Sequence, residues 1–285
     1  MEGEILRLCD AFIAINIQPH DTASSIQFKF SFICLLIQSL QRLSTIVIHP
    51  VHMKCFELVY PLCTYKQIQD LIKLGLFNVL ASSFKQNGLS QIQFSLTILE
   101  FVTKESSKQE KIGKKNLHLD IIEQQGIVTR LIELIVHNEL NLSNYYIDLA
   151  TLSLGYIYKA LQLPGELGKI IVPRLKLIIA SKPQTRTMTN ALMALLWLSE
   201  HEQNYKIIAA SSFFEKITWI IRIQDKMCED VHHSIMILGN ILSNTPEGEK
   251  RRIISLIPRD KLQDLVKASG DLSRHFTRVL HDLIG

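Results

Sequence analysis

The sequence predicts an all-α chain built as a solenoid, and three observations carry that reading. Apolar residues recur at helical spacing in segment after segment, at 89–103, 127–136, 145–161, 188–198, 213–221 and 231–242. No stretch sustains the alternation of a half-buried strand. Helix breakers fall between those segments, as Asn87-Gly88, Pro164-Gly165, Lys182-Pro183 and Thr245-Pro246-Glu247-Gly248. With 285 residues, 47% hydrophobic and 20% charged, the chain is too apolar for disorder. It is also about twice the length of an ordinary domain, so it forms two domains or one repeated array.

Taken in order, residues 1–49 are expected to form an N-terminal helical cap or degenerate repeat. Within them 28–40 is the most apolar run, but Lys29, Ser31, Gln38 and Ser39 interrupt it. It falls short of the roughly 18 residues of a membrane span, so a buried helix is expected there. From residue 50 to 285 one unit recurs: short helix, break, helix, longer helix. The break is Gly75 in the first copy and Gly126 in the next. Those glycines are 51 residues apart because 104–115, with five lysines and no apolar spacing, intervenes. A charged, mobile inserted loop is expected at 104–115. Farther on, 152–157, 196–201 and 236–241 align with Gly155, Ser199 and Gly239 in register, at intervals of 44 and 40 residues. A period of about 40 to 47 residues marks HEAT or armadillo arrays.

The stretch Asp120-Ile-Ile-Glu-Gln-Gln-Gly126-Ile-Val-Thr-Arg-Leu-Ile-Glu-Leu-Ile135 resembles the first two helices of an armadillo repeat, and Ser234-Ile-Met-Ile-Leu-Gly239-Asn-Ile-Leu242 resembles its third. The resemblance implies a right-handed α-solenoid of armadillo-like three-helix repeats, about five of them over 50–285. It also implies that the third helices line a concave groove for a protein or peptide partner. In importin-α the third helices carry a Trp and, four residues on, an Asn that pins the peptide backbone. Here Thr97, Leu152, Leu196 and Met236 hold the Trp places, and Phe101, Tyr156, Glu200 and Asn240 the Asn places. Only Asn240 matches. Trp197 is one residue off and is expected in the core, and Trp219 lies on a second helix. The groove is expected to present Phe101, Tyr156, Glu200, His233, Met236 and Asn240.

Other chemistries find little support in the residues. A net charge of +4, with acids interleaved among the lysines, does not describe a nucleic-acid binder. Gly165 and Gly168 are two residues apart and Ile170 follows Lys169, which breaks the phosphate-loop pattern. His232 and His233 are adjacent and cannot chelate one metal from one helix face. Cys55 and Cys63 could share a face, but buried cysteine acts as a small hydrophobe. No Ser, His and Asp set stands at catalytic spacing. No catalysis, cofactor, metal or membrane span is therefore expected.

Five cysteines without a Cys-x-x-Cys pair suit a reducing compartment. Glu2 and Glu4 ahead of the first apolar residues do not make an export signal. A cytoplasmic or nuclear protein is expected, as a monomer or a subunit of a hetero-complex. The leading expectation is a non-enzymatic adaptor or scaffold. The alternatives are an importin-α-like nuclear transport receptor and a structural subunit of a large assembly, which Leu152, Met193, Leu196 and Met236 open to solvent would favour.

Overall fold

The computed structural model describes residues 2–16, 22–42, 48–86, 88–182, 184–210, 213–224, 227–268 and 279. Every regular element among them is helical. The chain divides into two compact units, Met1–Glu110 with Leu117–Ile157, and Lys111–Asn116 with Tyr158–Gly285.

The first unit holds α1 (Glu2–Asn16), α2 (Ala23–Arg42), α3 (Pro50–Val59), α4 (Tyr65–Lys73), α5 (Leu76–Lys85), α6 (Leu89–Gln109), α7 (Leu119–Gln124), α8 (Ile127–Val136) and α9 (Asn144–Ile157). Two complete three-helix repeats stand out, α4 to α6 and α7 to α9. Thr64 opens the first with a capping box: its hydroxyl accepts the Gln67 N–H, and Gln67 Oε1 accepts the Thr64 N–H at 2.8 Å. Gly75 at φ +95° and Gly126 at φ +73° divide the short helix from the next. A left-handed residue reverses the chain without a linker, which is why glycine stands at both positions. The third helices α3, α6 and α9 stack in that order, around a core that includes Phe56, Phe77, Phe84, Leu96 and Tyr156.

The expected segment 1–49 supplies α1, which packs on α3, and α2, which packs on α3 and α5. At 20 residues α2 is longer than the apolar run suggested, so by length and composition it does reach the requirement for a membrane span. Its Ile33, Leu36, Ile37 and Leu40 are buried within the unit.

The loop expected at 104–115 is corrected, because 104–109 completes α6. Lys104 is only 4% exposed and pairs with Glu100 one turn back at 3.6 Å. Ser106 and Ser107 are buried as well, and the Ser107 hydroxyl donates to the Tyr156 carbonyl of α9 at 2.9 Å. These polar residues form the inner side of a helix. The connection between α6 and α7 is 110–118.

The second unit holds 111–116, α10 (Gly165–Ser181), α11 (Arg186–Ser199), α12 (Tyr205–Ala209), α13 (Phe213–Ile223), α14 (Glu229–Asn244), α15 (Glu247–Leu256) and α16 (Arg259–Ala268). Helices α12 to α14 repeat the three-helix pattern, and the third helices α11 and α14 pack along each other. A Cβ on Gly168 would come within 2.9 Å of Ile207 Cδ1, so this glycine lets α12 approach α10. Asn204 joins the end of α11 to the connection that precedes α10. Its Oδ1 accepts the Leu163 N–H at 2.9 Å, while its Nδ2 donates to the Leu161 and Leu198 carbonyls at 2.8 Å.

Candidate functional site

In the first unit, α6 buries nearly all of its surface between 92 and 107. Gln93, Phe94, Thr97, Phe101 and Glu105 are the part-exposed residues there, and their spacing puts them on one stripe. Helix α3 adds a second row beside it. Tyr60, in the 3-10 turn that follows α3, lays its ring on Phe101 with centroids 4.7 Å apart. Lys54 of α3 sets its ammonium 5.7 Å from the Phe94 ring centroid and pairs with Glu57. The result is an aromatic face of three rings with carboxylates at Glu57 and Glu105. Such a face can stack against apolar or cationic side chains and accept hydrogen bonds at its edge.

In the second unit the comparable face lies on α11 and α14, where Leu196, His233 and Asn240 are part-exposed. Two side-chain bonds hold the helices together. Asn240 Nδ2 donates to Ser199 Oγ at 2.9 Å, and the Thr189 hydroxyl donates to Asp230 Oδ1 at 2.6 Å. Met193 of α11 and Met236 of α14 are buried, at 7% and 5% exposure.

Of the six residues expected to line one groove, Phe101 falls on the α6 stripe, and His233 and Asn240 on the α14 face. Tyr156 is a correction: it is fully buried, with its hydroxyl 3.3 Å from Glu100 Oε1. Met236 is buried too. Glu200 is occupied, since its Oε2 accepts the Gly113 N–H at 2.8 Å. Burial raises the Glu200 pKa, and the Gly113 N–H and the Lys159 ammonium pull it back. Of the six, Phe101 and Tyr156 belong to the first unit and the other four to the second. Lys54, Tyr60 and Phe94 were missed. The spacing of Phe94, Thr97 and Phe101 was the available signal for the α6 part.

Trp197, expected in the core, is 7% exposed and lies under the Lys159 ammonium at 5.1 Å. Cys55 is fully buried and faces another helix. Its thiol meets Cys9 of α1, donating to the Cys9 carbonyl at 3.8 Å, and hydrogen bonding with the Cys9 thiol first, and burial second, push its pKa up. Burial pushes the Cys63 thiol up to about 12. Among the described residues no three His, Cys, Asp or Glu side chains converge.

No family model matches the sequence, and no curated protein matches it. Among solved structures the chain is similar to a designed armadillo repeat protein, with TM-score 0.61, 12% identity, and coverage of 88% of this chain and 100% of that one. It is similar to a designed armadillo repeat protein in complex with the peptide (KR)4, with TM-score 0.57, 11% identity, and coverage of 89% and 99%. It is also similar to computationally designed armadillo repeat proteins for modular peptide recognition, with TM-score 0.53, 10% identity, and coverage of 99% and 100%. Identities this low speak to the fold alone. Stacked third helices, left-handed glycines between the first and second helices, and these neighbours together give the chain an armadillo-like repeat fold.

Proposed function

We propose that the protein is a non-enzymatic scaffold that holds a protein or peptide segment against its third helices, with the α3 and α6 face as the principal contact. The observation that carries this is the stripe of Gln93, Phe94, Thr97, Phe101 and Glu105, part-exposed on the stretch of α6 between 92 and 107 that is otherwise buried. Rings kept at the surface are the usual anchors of a protein interface. The designed armadillo repeat proteins of similar fold are described as peptide-recognition proteins, which supports the same reading.

Importin-like recognition has less support, because the amide of Asn240 is engaged with Ser199 and no Trp occupies the position four residues before it. The embedded-subunit alternative rested on an apolar groove, and of its four residues Leu152, Met193 and Met236 are buried within their units while Leu196 is part-exposed.

The test is recovery of partners on the full-length chain, followed by affinity measurement with the purified partner. Phe94→Ala with Phe101→Ala should weaken that affinity by at least about tenfold, as loss of aromatic anchors does, while helicity is unchanged. Equal affinity in the double variant would rule this surface out.

A further inference from the structure

Two of the five cysteines meet inside the first unit. Cys9 of α1 and Cys55 of α3 are both enclosed at 0% exposure, although 46 positions separate them in the chain. Helices α1 and α3 pack on each other, which brings the two side chains face to face. The Cys55 S–H reaches the Cys9 carbonyl at 3.8 Å and also hydrogen-bonds the Cys9 sulfur. That bond holds the Cys9 pKa below the ordinary thiol value, against burial and the Asp10 carboxylate, which raise it. The other cysteines, Cys34, Cys63 and Cys228, are part-exposed.

A cysteine buried alone is a small hydrophobe. Two sulfurs in contact across two helices have a chemistry that a lone one lacks. Zinc is not that chemistry, because a structural site takes four ligands and among the described residues no third His, Cys, Asp or Glu converges with this pair. We propose that Cys9 and Cys55 are a reversible disulfide site, oxidised by a peroxide, that fastens α1 to α3. The Cys9 thiolate attacks one peroxide oxygen, the O–O bond breaks, and hydroxide leaves, which gives a sulfenic acid at Cys9. That hydroxide takes the Cys55 proton, and the Cys55 sulfur attacks the Cys9 sulfur. The S–S bond forms as the S–O bond breaks, and the departing hydroxide takes up the proton that Cys9 first released. Two electrons pass from the thiols to the peroxide, and two waters form. A disulfide closes with Cβ atoms about 3.8 Å apart, and thiols already bonded to each other need little rearrangement to reach it. Both sulfurs are enclosed, so the oxidant has to be small and enters when α1 opens locally from α3. The cross-link is independent of the partner surface on α3 and α6.

Full-length protein, purified reduced and freed of reductant, should be treated with hydrogen peroxide, alkylated and mapped by peptide mass spectrometry. The Cys9 and Cys55 peptides should be joined with loss of two hydrogens, and dithiothreitol should separate them. Closing a loop of this length should raise the thermal midpoint of the oxidised protein by about 5 °C or more, and reduction should reverse the rise. Cys9→Ser and Cys55→Ser should each prevent both effects, and Cys228→Ser should leave both intact. The map of the wild-type protein decides the matter even where a buried Ser weakens folding. Oxidation of Cys34, Cys63 or Cys228 with Cys9 and Cys55 still reduced would overturn the proposal. So would a Cys9 that proceeds to sulfinic acid or joins any other cysteine, a cross-link formed only between two chains, or one that leaves the midpoint where it was.

Discussion

Lys104 and Glu100 are 4% and 8% exposed, and the Tyr156 hydroxyl reaches the same carboxylate. A run of lysine, glutamate and serine reads as solvated when its partners are out of view, and Tyr156 lies far along the chain on α9. The same holds for Glu200, whose acceptor is filled by a backbone N–H from 87 residues earlier. Residue pattern could place Phe101 in a helical register but could not show which polar side chains the fold would enclose. His52 is another enclosed group, fully buried, with Nδ1 accepting the His49 N–H at 3.1 Å. Burial first, and His49 second, lower its pKa from 6.5 to about 4. The unfolded chain therefore takes up a proton near pH 6.5 that the folded chain refuses until about pH 4. Stability is present in full above the upper value and is lost as pH falls through that window. The loss from this residue is on the order of 2 to 3 kcal/mol. Burial lowers His118 and His232 as well, in the same direction. Urea midpoints should fall between pH 7 and 4, with a shallower slope in His52→Gln. Parallel slopes in the two proteins would mean that His52 titrates normally.

Each helical element was legible where its boundary depends on a residue type that the backbone demands. Gly126 shows this cleanly: φ is +73° and a Cβ would meet nothing within 4 Å, so only the backbone conformation requires glycine. Gly126→Ala should therefore cost about 1 kcal/mol in chemical denaturation, and Gly126→Asn less, because Asn tolerates the left-handed region. An Ala variant as stable as wild type would remove the backbone argument. The third-helix register was legible for a packing reason. Ser199 receives the Asn240 amide, and a Cβ on Gly239 would come within 2.4 Å of Val279 Cγ1, so small residues mark close approaches. The C-terminal end of α6 was not legible, since its last turns carry no apolar stripe and are held instead by Thr103, Lys104 and Ser107 bonded to backbone and carboxylate. The unbroken α10 was hidden for the opposite reason. Its Pro164-Gly165 start looks like any turn, and Pro173 sits inside a helix that continues to Ser181.

At the scale of the whole chain, each unit buries its own core, with Phe56, Phe77 and Phe84 fully enclosed in one and Leu195, Ile217 and Ile237 in the other. In repeat proteins a helix draws its stability from its immediate neighbours, so cooperativity is local and extends only as far as the couplings between blocks. Two substitutions report on the two units separately. Lys104→Ala leaves the Glu100 carboxylate buried without its cation, a change that costs about 3 to 5 kcal/mol in the first unit. Asn204→Ala removes the partner of the Leu163 N–H and of the Leu161 and Leu198 carbonyls in the second unit. Unmaking such buried bonds costs about 1 to 3 kcal/mol. Scanning calorimetry should resolve more than one transition, with Lys104→Ala lowering one and Asn204→Ala the other. The opposite outcome is equally sharp: a single transition, shifted by both variants and with matching calorimetric and van't Hoff enthalpies, would show that the two units unfold as one cooperative block.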